Sequence, residues 1–528
     1  MEKPTILVCA GPRATITNSP PLVTSNKGRN ETTETDPRFE HLVPQLLHEP
    51  VTVKIKKFSA HPLEEDKEQV YHNNNDEYYE VTLRPDDGLY PLPYVARRAD
   101  GSVDGTPFEP DDHSNPGLRG DERQFFYPDA SRIFEEIDRG VHGRAKDGTV
   151  NCLGKKAEYE FIRLLPSGGY TNQGEKAGED YFPYEPRERA CHPRLGDLAK
   201  VTNQIQNRLD DGDFAGVLWL EGSPQLEETL YWLQLLVDTE IPLVGTVANR
   251  PHGMLSNDGD RNIVDAVEYI VSGSGESVGA VAIQDQVVYA AREFKKKDAR
   301  PGAFTAVGGQ GGVIGTVKAD VTVRFTPNYA HTSTSNVNLR TLPDKVSFYD
   351  RCDDPSETTI RIKQDGQLIG TEIPRVSILK GTSYPQVEGS IDPGAEVDIL
   401  ARVEQALAEQ ESEAERKPNL HGIIFEGNSP YGSSSPSQDR ALEIAAFSGV
   451  PVVRVGRCDP GGPVQPHPEK PSIDGSNLDA NKAVMLLTAA LLKLGRLPKA
   501  ADPVEPATDE RKMLMEKIAA YQEIFDGH

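Results

Sequence analysis

Between Phe214 and Asn262 the chain places a carboxylate, a hydroxyl, an amide and a guanidinium just beyond the ends of two apolar runs. Gly216–Val217–Leu218–Trp219–Leu220 is a continuous apolar run, followed at once by Glu221, Gly222 and Ser223. A second run, Ile241 to Val247, is followed by Asn249-Arg250-Pro251 and then by Ser256-Asn257-Asp258-Gly259. The residues between the runs, QLEETLYWLQLLV, carry Leu226, Leu230, Leu233 and Val237 on one helical face, so the segment predicts a strand-helix-strand unit. In open α/β sheets the crevice beyond the carboxyl ends of the strands is where ligands bind. A second group with chemical potential is Lys295-Lys296-Lys297, in AAREFKKKD, which reads either as a solvated charge run or as a buried amine source.

These segments resemble the bacterial-type asparaginase and glutaminase family. Its pattern runs Thr-His-Gly-Thr-Asp-Thr-hydrophobe-Glu-Glu-Thr, then Gly-Ala-Met-Arg-Pro, then Ser-x-Asp-Gly-x-x-Asn. The same frame here is Leu220 to Thr229, then Val247, Ala248, Asn249, Arg250, Pro251, then Ser256, Asp258, Gly259 and Asn262. The resemblance implies an amidohydrolase that releases ammonia from a carboxamide. Such chemistry needs a hydroxyl made basic, donors for the oxyanion and contacts that hold the amide in line.

Carried over residue by residue, Ser223 takes the place of one family threonine, and Thr15, in CAGPRATI, that of the other, although the family's glycine pair is broken there. Lys296 takes the place of the family lysine, which can act as a base when desolvation removes its proton. Ser223 also reads as a cap of the following helix, and Thr15 as a turn hydroxyl.

Pro224 departs most from the family, since the aspartate expected there binds the α-ammonium of an amino-acid substrate and proline cannot. Glu221 and Asp258 are the nearest replacement acids, and Gly222 and Asn249 complete the substrate-facing set. Arg189 stands near the position of the family's carboxylate-binding serine and could hold a carboxylate through two hydrogen bonds. Three functions are therefore open: an amidohydrolase whose substrate is not plain asparagine, an inactive binding or scaffold protein, and a true L-asparaginase with a substituted acid. No metal or cofactor is implied. A homo-oligomer, dimer or tetramer, is expected, with Glu426 to Pro430 as the segment that would complete a neighbour's pocket.

Composition bounds the alternatives. A formal charge of -25 and a pI near 5.0 argue against the basic face that phosphate-backbone binding requires, and Lys295-Lys296-Lys297 is the local basic run that stands out. The apolar run near the start is too short for a signal-peptide core, and the chain offers no stretch of about 20 apolar residues, so a cytoplasmic location without membrane contact is expected. Cys9, Cys152, Cys191, Cys352 and Cys458 form no C-x-x-C pair, which fits reduced thiols rather than a zinc site.

The elements that position these residues read as an α/β protein with a larger N-terminal parallel-sheet domain and a smaller C-terminal α/β domain. TILVCA is the first buried strand, and a turn- and aromatic-rich insertion occupies about 50–188. LGDLAKVTNQIQNRL and NIVDAVEYIV are helices, and AVAIQDQVVYA is a hairpin. The expected division is 1–330 for the first domain, 331–372 for an enlarged linker and 373–528 for the second. In the last of these, strands in IPRVSILKG, HGIIFEGN and VPVVRVGR alternate with helices over DILARVEQALAEQ, DRALEIAAFSG and NKAVMLLTAALLKLG.

Overall fold

A computed structural model describes residues 4–10, 51–56, 78–83, 160–163, 196–223, 225–249, 258–300, 302–307, 310–318, 320–349, 357–381, 391–408, 421–428, 432–457 and 469–528. In the N-terminal part, β1 (Thr5–Ala10), β2 (Val51–Lys56), β3 (Tyr78–Leu83) and β4 (Glu160–Arg163) precede helix α1 (Asp197–Asp211). Then come β5 (Gly216–Leu220), α2 (Leu226–Leu236), β6 (Leu243–Thr246), α3 (Gly259–Val271), β7 (Ala280–Gln284) and β8 (Val287–Ala290). Short strands β9 (Phe294–Lys296), β10 (Phe304–Ala306), β11 (Val313–Val317) and β12 (Val321–Val323) follow.

Eight of these strands form one sheet in the order β12-β11-β8-β7-β6-β5-β1-β4. Its half from β4 to β7 is parallel, because each helix returns the chain to the starting edge. Continuous apolar strands are what such a sheet needs, since both faces are covered. Ile6, Val8, Leu218 and Leu220 pack with Ile263, Val267 and Ile270 of α3, while Leu7, Cys9, Val217 and Trp219 pack on the side of α1 and α2. Gly245 lets α2 approach β6 closely, for a Cβ there would lie 2.7 Å from Leu226 and 2.9 Å from Leu230. The β7–β8 hairpin turns through Asp285 and Gln286, both at positive φ, as a two-residue turn between twisted strands requires. Within the expected insertion, β2 and β3 pair antiparallel and β4 extends the large sheet beside β1.

Two small antiparallel pairs come next: β13 (Lys345–Tyr349) with β14 (Glu357–Arg361), and β15 (Lys363–Gln364) with β16 (Gln367–Leu368). Val337, Leu339, Val346, Ile360 and Ile362 of this region are buried in the main core. A second sheet, wholly parallel, has the order β17 (Arg375–Lys380), β18 (His421–Gly427), β19 (Val452–Gly456), β20 (Ile473–Asp474). Its helices are α4 (Val397–Ala408), α5 (Pro436–Phe447), α6 (Ala480–Leu494) and α7 (Thr508–Gly527). The sequence pattern starts α5 at Asp439, but Ser435 and Gln438 form a reciprocal capping box and the helix begins at Pro436.

The two sheets share one apolar core, in which α2 residues Leu230 and Leu233 join α6 residues Leu486 and Ala490. Nine of the eleven residues of α2 are buried, so its apolar stripe widens to nearly the whole helix surface. Among the described residues no helix is long and apolar enough to cross a membrane.

Candidate functional site

The register of the large sheet aligns the strand ends. Ala10 pairs with Leu220, and Leu220 with Thr246, so β1, β5 and β6 end at one edge of the sheet. Glu221 is fully buried there; its N–H donates to Thr246 O (3.1 Å), and its Oε1 accepts from Gly222 N (3.0 Å). The Gly222 carbonyl accepts from Leu226 N (3.0 Å), which begins the helical bonding of α2. Ser223 is half-buried between these two bonds. The N-cap position of α2 falls to Gln225, whose side chain makes no capping bond, so Ser223 is not the N-cap that the sequence allowed. Across the sheet from Glu221, burial pushes the Cys9 thiol well above its ordinary value, with the Glu221 charge adding to the rise. Cys9 is thus held as an unreactive thiol.

On the β6 side, Asn249 is the junction. Its N–H and Nδ2 both donate to Asp258 Oδ2, at 3.1 and 2.9 Å, and its Oδ1 accepts from Lys296 Nζ at 3.1 Å. Asp258, buried just before α3, also takes a long bond from Asn262 Nδ2 (3.4 Å). The Asp258 carboxylate therefore orients Asn249, and Asn249 orients the Lys296 amine.

Lys296 ends β9 and is half-buried; Nζ donates to Arg300 O (2.7 Å) as well and lies 4.3 Å from the centre of the Phe304 ring. Burial lowers its pKa from the ordinary lysine value, against the opposing charges of Asp298 and Asp258. An amine with a lowered pKa gives up its proton more readily and is better suited to act as a base.

Glu227 connects the two sides. It lies in the first turn of α2, and its Oε1 accepts from the backbone N–H of Lys296 (2.6 Å), which fixes the strand bearing the lysine against the helix after Ser223. Burial pushes its carboxyl up to about 7 despite the hydrogen bond from Lys296.

The structure thus gathers Glu221, Gly222, Ser223, Asn249, Asp258 and Lys296 at one edge of the sheet. Thr15, Pro224 and Arg189 lie outside the described residues. Asp258 and Glu221, proposed from sequence as acids for a substrate, have side chains engaged by Asn249 and Gly222 respectively. Glu227 and Lys482 were not among the sequence candidates. Lys482, on α6, is fully buried and donates to the carbonyls of Glu227 and of Ala291, the latter at 2.6 Å. Both stand in the first turn of a helix, where a charged residue is ordinary, so no local signal marked them.

The class defined by these elements is a two-sheet α/β protein with a polar site at the carboxyl edge of the larger sheet. Residues 187–329, which contain Ser223, Asn249, Asp258 and Lys296, match the family model described as Asparaginase, N-terminal. The chain is 27% identical over 301 residues to L-asparaginase 2 of Bacillus subtilis (strain 168), covering 56% of this chain and 66% of that protein. It is 28% identical over 145 residues to a glutaminase-asparaginase of Acinetobacter glutaminasificans, covering 27% of this chain and 43% of that one. A crystal structure of a probable cytoplasmic L-asparaginase from Campylobacter jejuni matches with a TM-score of 0.46 and 22% identity, covering 64% of this chain and 88% of that one. Over residues 187–329 the chain is similar to the asparaginase family, and the curated proteins it resembles are asparaginases and glutaminase-asparaginases. It spans just under two thirds of the Bacillus subtilis relative and less than half of the Acinetobacter one.

Proposed function

We propose that the protein is an amidohydrolase that releases ammonia from a carboxamide other than plain asparagine. The observation that carries this reading is the chain Lys296–Asn249–Asp258, which orients an amine of lowered pKa at the strand ends beside the helix that follows Ser223. In the reaction the Ser223 hydroxyl attacks the amide carbon while the Lys296 amine takes its proton. The C–N bond breaks, ammonia leaves with a proton, and water then hydrolyses the ester to restore the hydroxyl. Thr15 is the second hydroxyl, and either could form the ester. Pro224 leaves no carboxylate at the position that would pair with an α-ammonium, which disfavours free asparagine, and Arg189 would hold a carboxylate elsewhere on the substrate.

A catalytically inactive binding protein is the second reading. It is favoured by the engagement of Lys296 Nζ with both Asn249 Oδ1 and Arg300 O, which occupies two of its three donors. In either case the protein works as a cytoplasmic homo-oligomer, a dimer or tetramer, divided at 1–330, 331–372 and 373–528. Ammonia release over a panel of primary amides, with and without an α-amino group, tests the reading. Release from an amide lacking the amino group supports it, while silence across the panel favours the binding protein and release from asparagine alone favours a true asparaginase.

A further inference from the structure

The turn from Ala291 to Glu293 leads directly into β9 and so sets where Lys296 lies. It is held from the smaller sheet's side of the molecule at three points, one of them His528 O at the end of α7, which accepts from Arg292 Nε (2.6 Å). Lys482 Nζ, in the first turn of α6, donates to Ala291 O (2.6 Å) and also to Glu227 O. Asn477 Oδ1, in the loop before that helix, accepts from Arg292 Nη1 (2.8 Å). Asp479 caps α6 by accepting from Lys482 N (2.9 Å), which fixes the root of the lysine side chain. Glu227 completes the arrangement, because its own carboxylate holds Lys296 N. A single buried ammonium therefore ties the helix after Ser223 to the turn before Lys296.

Burying an ammonium is costly unless its donors are satisfied, and apolar side chains fill the rest of this core at no such cost. Lys482 is only 1% exposed, and the bonds it makes go to carbonyls of the two segments that flank the candidate site.

We infer that Lys482 is a positioning residue, through which the C-terminal sheet and its helices set the separation between the Ser223 and Lys296 segments. The inference rests on the amidohydrolase reading for its effect on rate, but not for its effect on structure. A group that aligns the reacting partners without touching substrate acts on kcat more than on KM.

The test is Lys482→Met in the full chain, read in two ways. On an amide that the wild-type protein turns over, kcat falls by about tenfold or more while KM stays within about twofold. By hydrogen exchange, the Lys296 amide loses protection by about tenfold or more, whereas the amides of β6 and β7 keep theirs. If the wild-type protein releases no ammonia from any amide, the amidohydrolase reading fails and exchange at Lys296 alone decides the inference. A folded Lys482→Met protein with Lys296 exchange unchanged, or with protection lost equally from β6, β7 and β9, overturns it. Should Lys482→Met fail to fold, Asn477→Ala removes another hold on the same turn while leaving the bond from Arg292 Nε to His528 O in place. It is expected to speed Lys296 exchange by about threefold with β7 unaffected, and unchanged exchange in that variant likewise overturns the inference.

Discussion

The two halves of the site are held in place by different means. On the β5 side the chain positions itself through its backbone: Glu221 N bonds to Thr246 O, Gly222 O receives Leu226 N, and Glu221 turns back onto Gly222 N. On the β9 side the lysine is placed by side chains from remote segments, namely Asp258 through Asn249, and Glu227 from 69 residues away. Lys482 adds a tie to Ala291 O from 191 residues away. The hydroxyl side is thus as rigid as the sheet and α2 are, whereas the amine side depends on buried polar bonds. Packing defects should act first on stability, and changes in buried charge on the alignment of the lysine.

Trp232→Ala probes the packing under the hydroxyl side. The indole is fully buried in α2 and its Nε1 donates to Thr202 Oγ1 (2.9 Å), so truncation leaves a cavity and removes the bond that this hydroxyl accepts. The expected loss is about 3–5 kcal/mol of unfolding free energy, measured by denaturant titration. A loss under about 1 kcal/mol would mean that α2 is not a rigid support.

The amine side should reveal itself through pH. Burial raises the Glu227 carboxyl from 4.5 to about 7 and lowers the Lys482 ammonium from 10.5 to about 8. Between 4.5 and about 7 the folded state keeps a proton on Glu227 that the unfolded chain has released. That contribution to stability is complete below the unfolded pKa and is lost as pH rises through the folded one. For Lys482 the sign reverses: its contribution is complete above the unfolded pKa of 10.5 and is lost as pH falls through about 8. The two groups together contribute least between pH 7 and 8. Glu227→Gln should therefore shrink the fall in stability between pH 5 and 7.5 by up to about 3 kcal/mol. An unchanged pH profile in that variant would remove Glu227 as its source.

A smaller effect is expected at the start of α2, where Pro224→Asp supplies the carboxylate that the family pattern carries. A charged hydrogen bond to an α-ammonium contributes about 1.5–3 kcal/mol, which is roughly tenfold to a hundredfold in kcat/KM for asparagine relative to amides without the amino group. Thermal unfolding of the variant separates this shift from a disturbed helix start. No change in preference in the folded variant would mean that position 224 does not face the substrate.

The same division explains what could be read from the sequence. The hydroxyl side is local: GVLWL, Gly222 and Ser223 are contiguous, and an apolar run ending in polar residues already predicts a buried strand opening onto a crevice. Strands β1, β5 to β8 and β17 to β19 and most of the helices were legible by the same periodicity, whereas β11, β12 and β20 were not expected. On the amine side Lys296 was reached through family resemblance, but Glu227 and Lys482 were not, because nothing local distinguishes a charged residue aimed into a shared core from one facing water. Helix α7 lay beyond the expectations drawn from sequence, although Leu514, Ile518, Tyr521 and Phe525 are buried at helical spacing along it.

The central claim, that Ser223 and Lys296 work as one unit, is tested most directly by kcat for Ser223→Ala, Lys296→Met and the double variant on the best amide substrate. The account predicts a fall of at least about a hundredfold in each single variant and little further loss in the double. Near-normal rates in both single variants, or losses that multiply in the double, would contradict it.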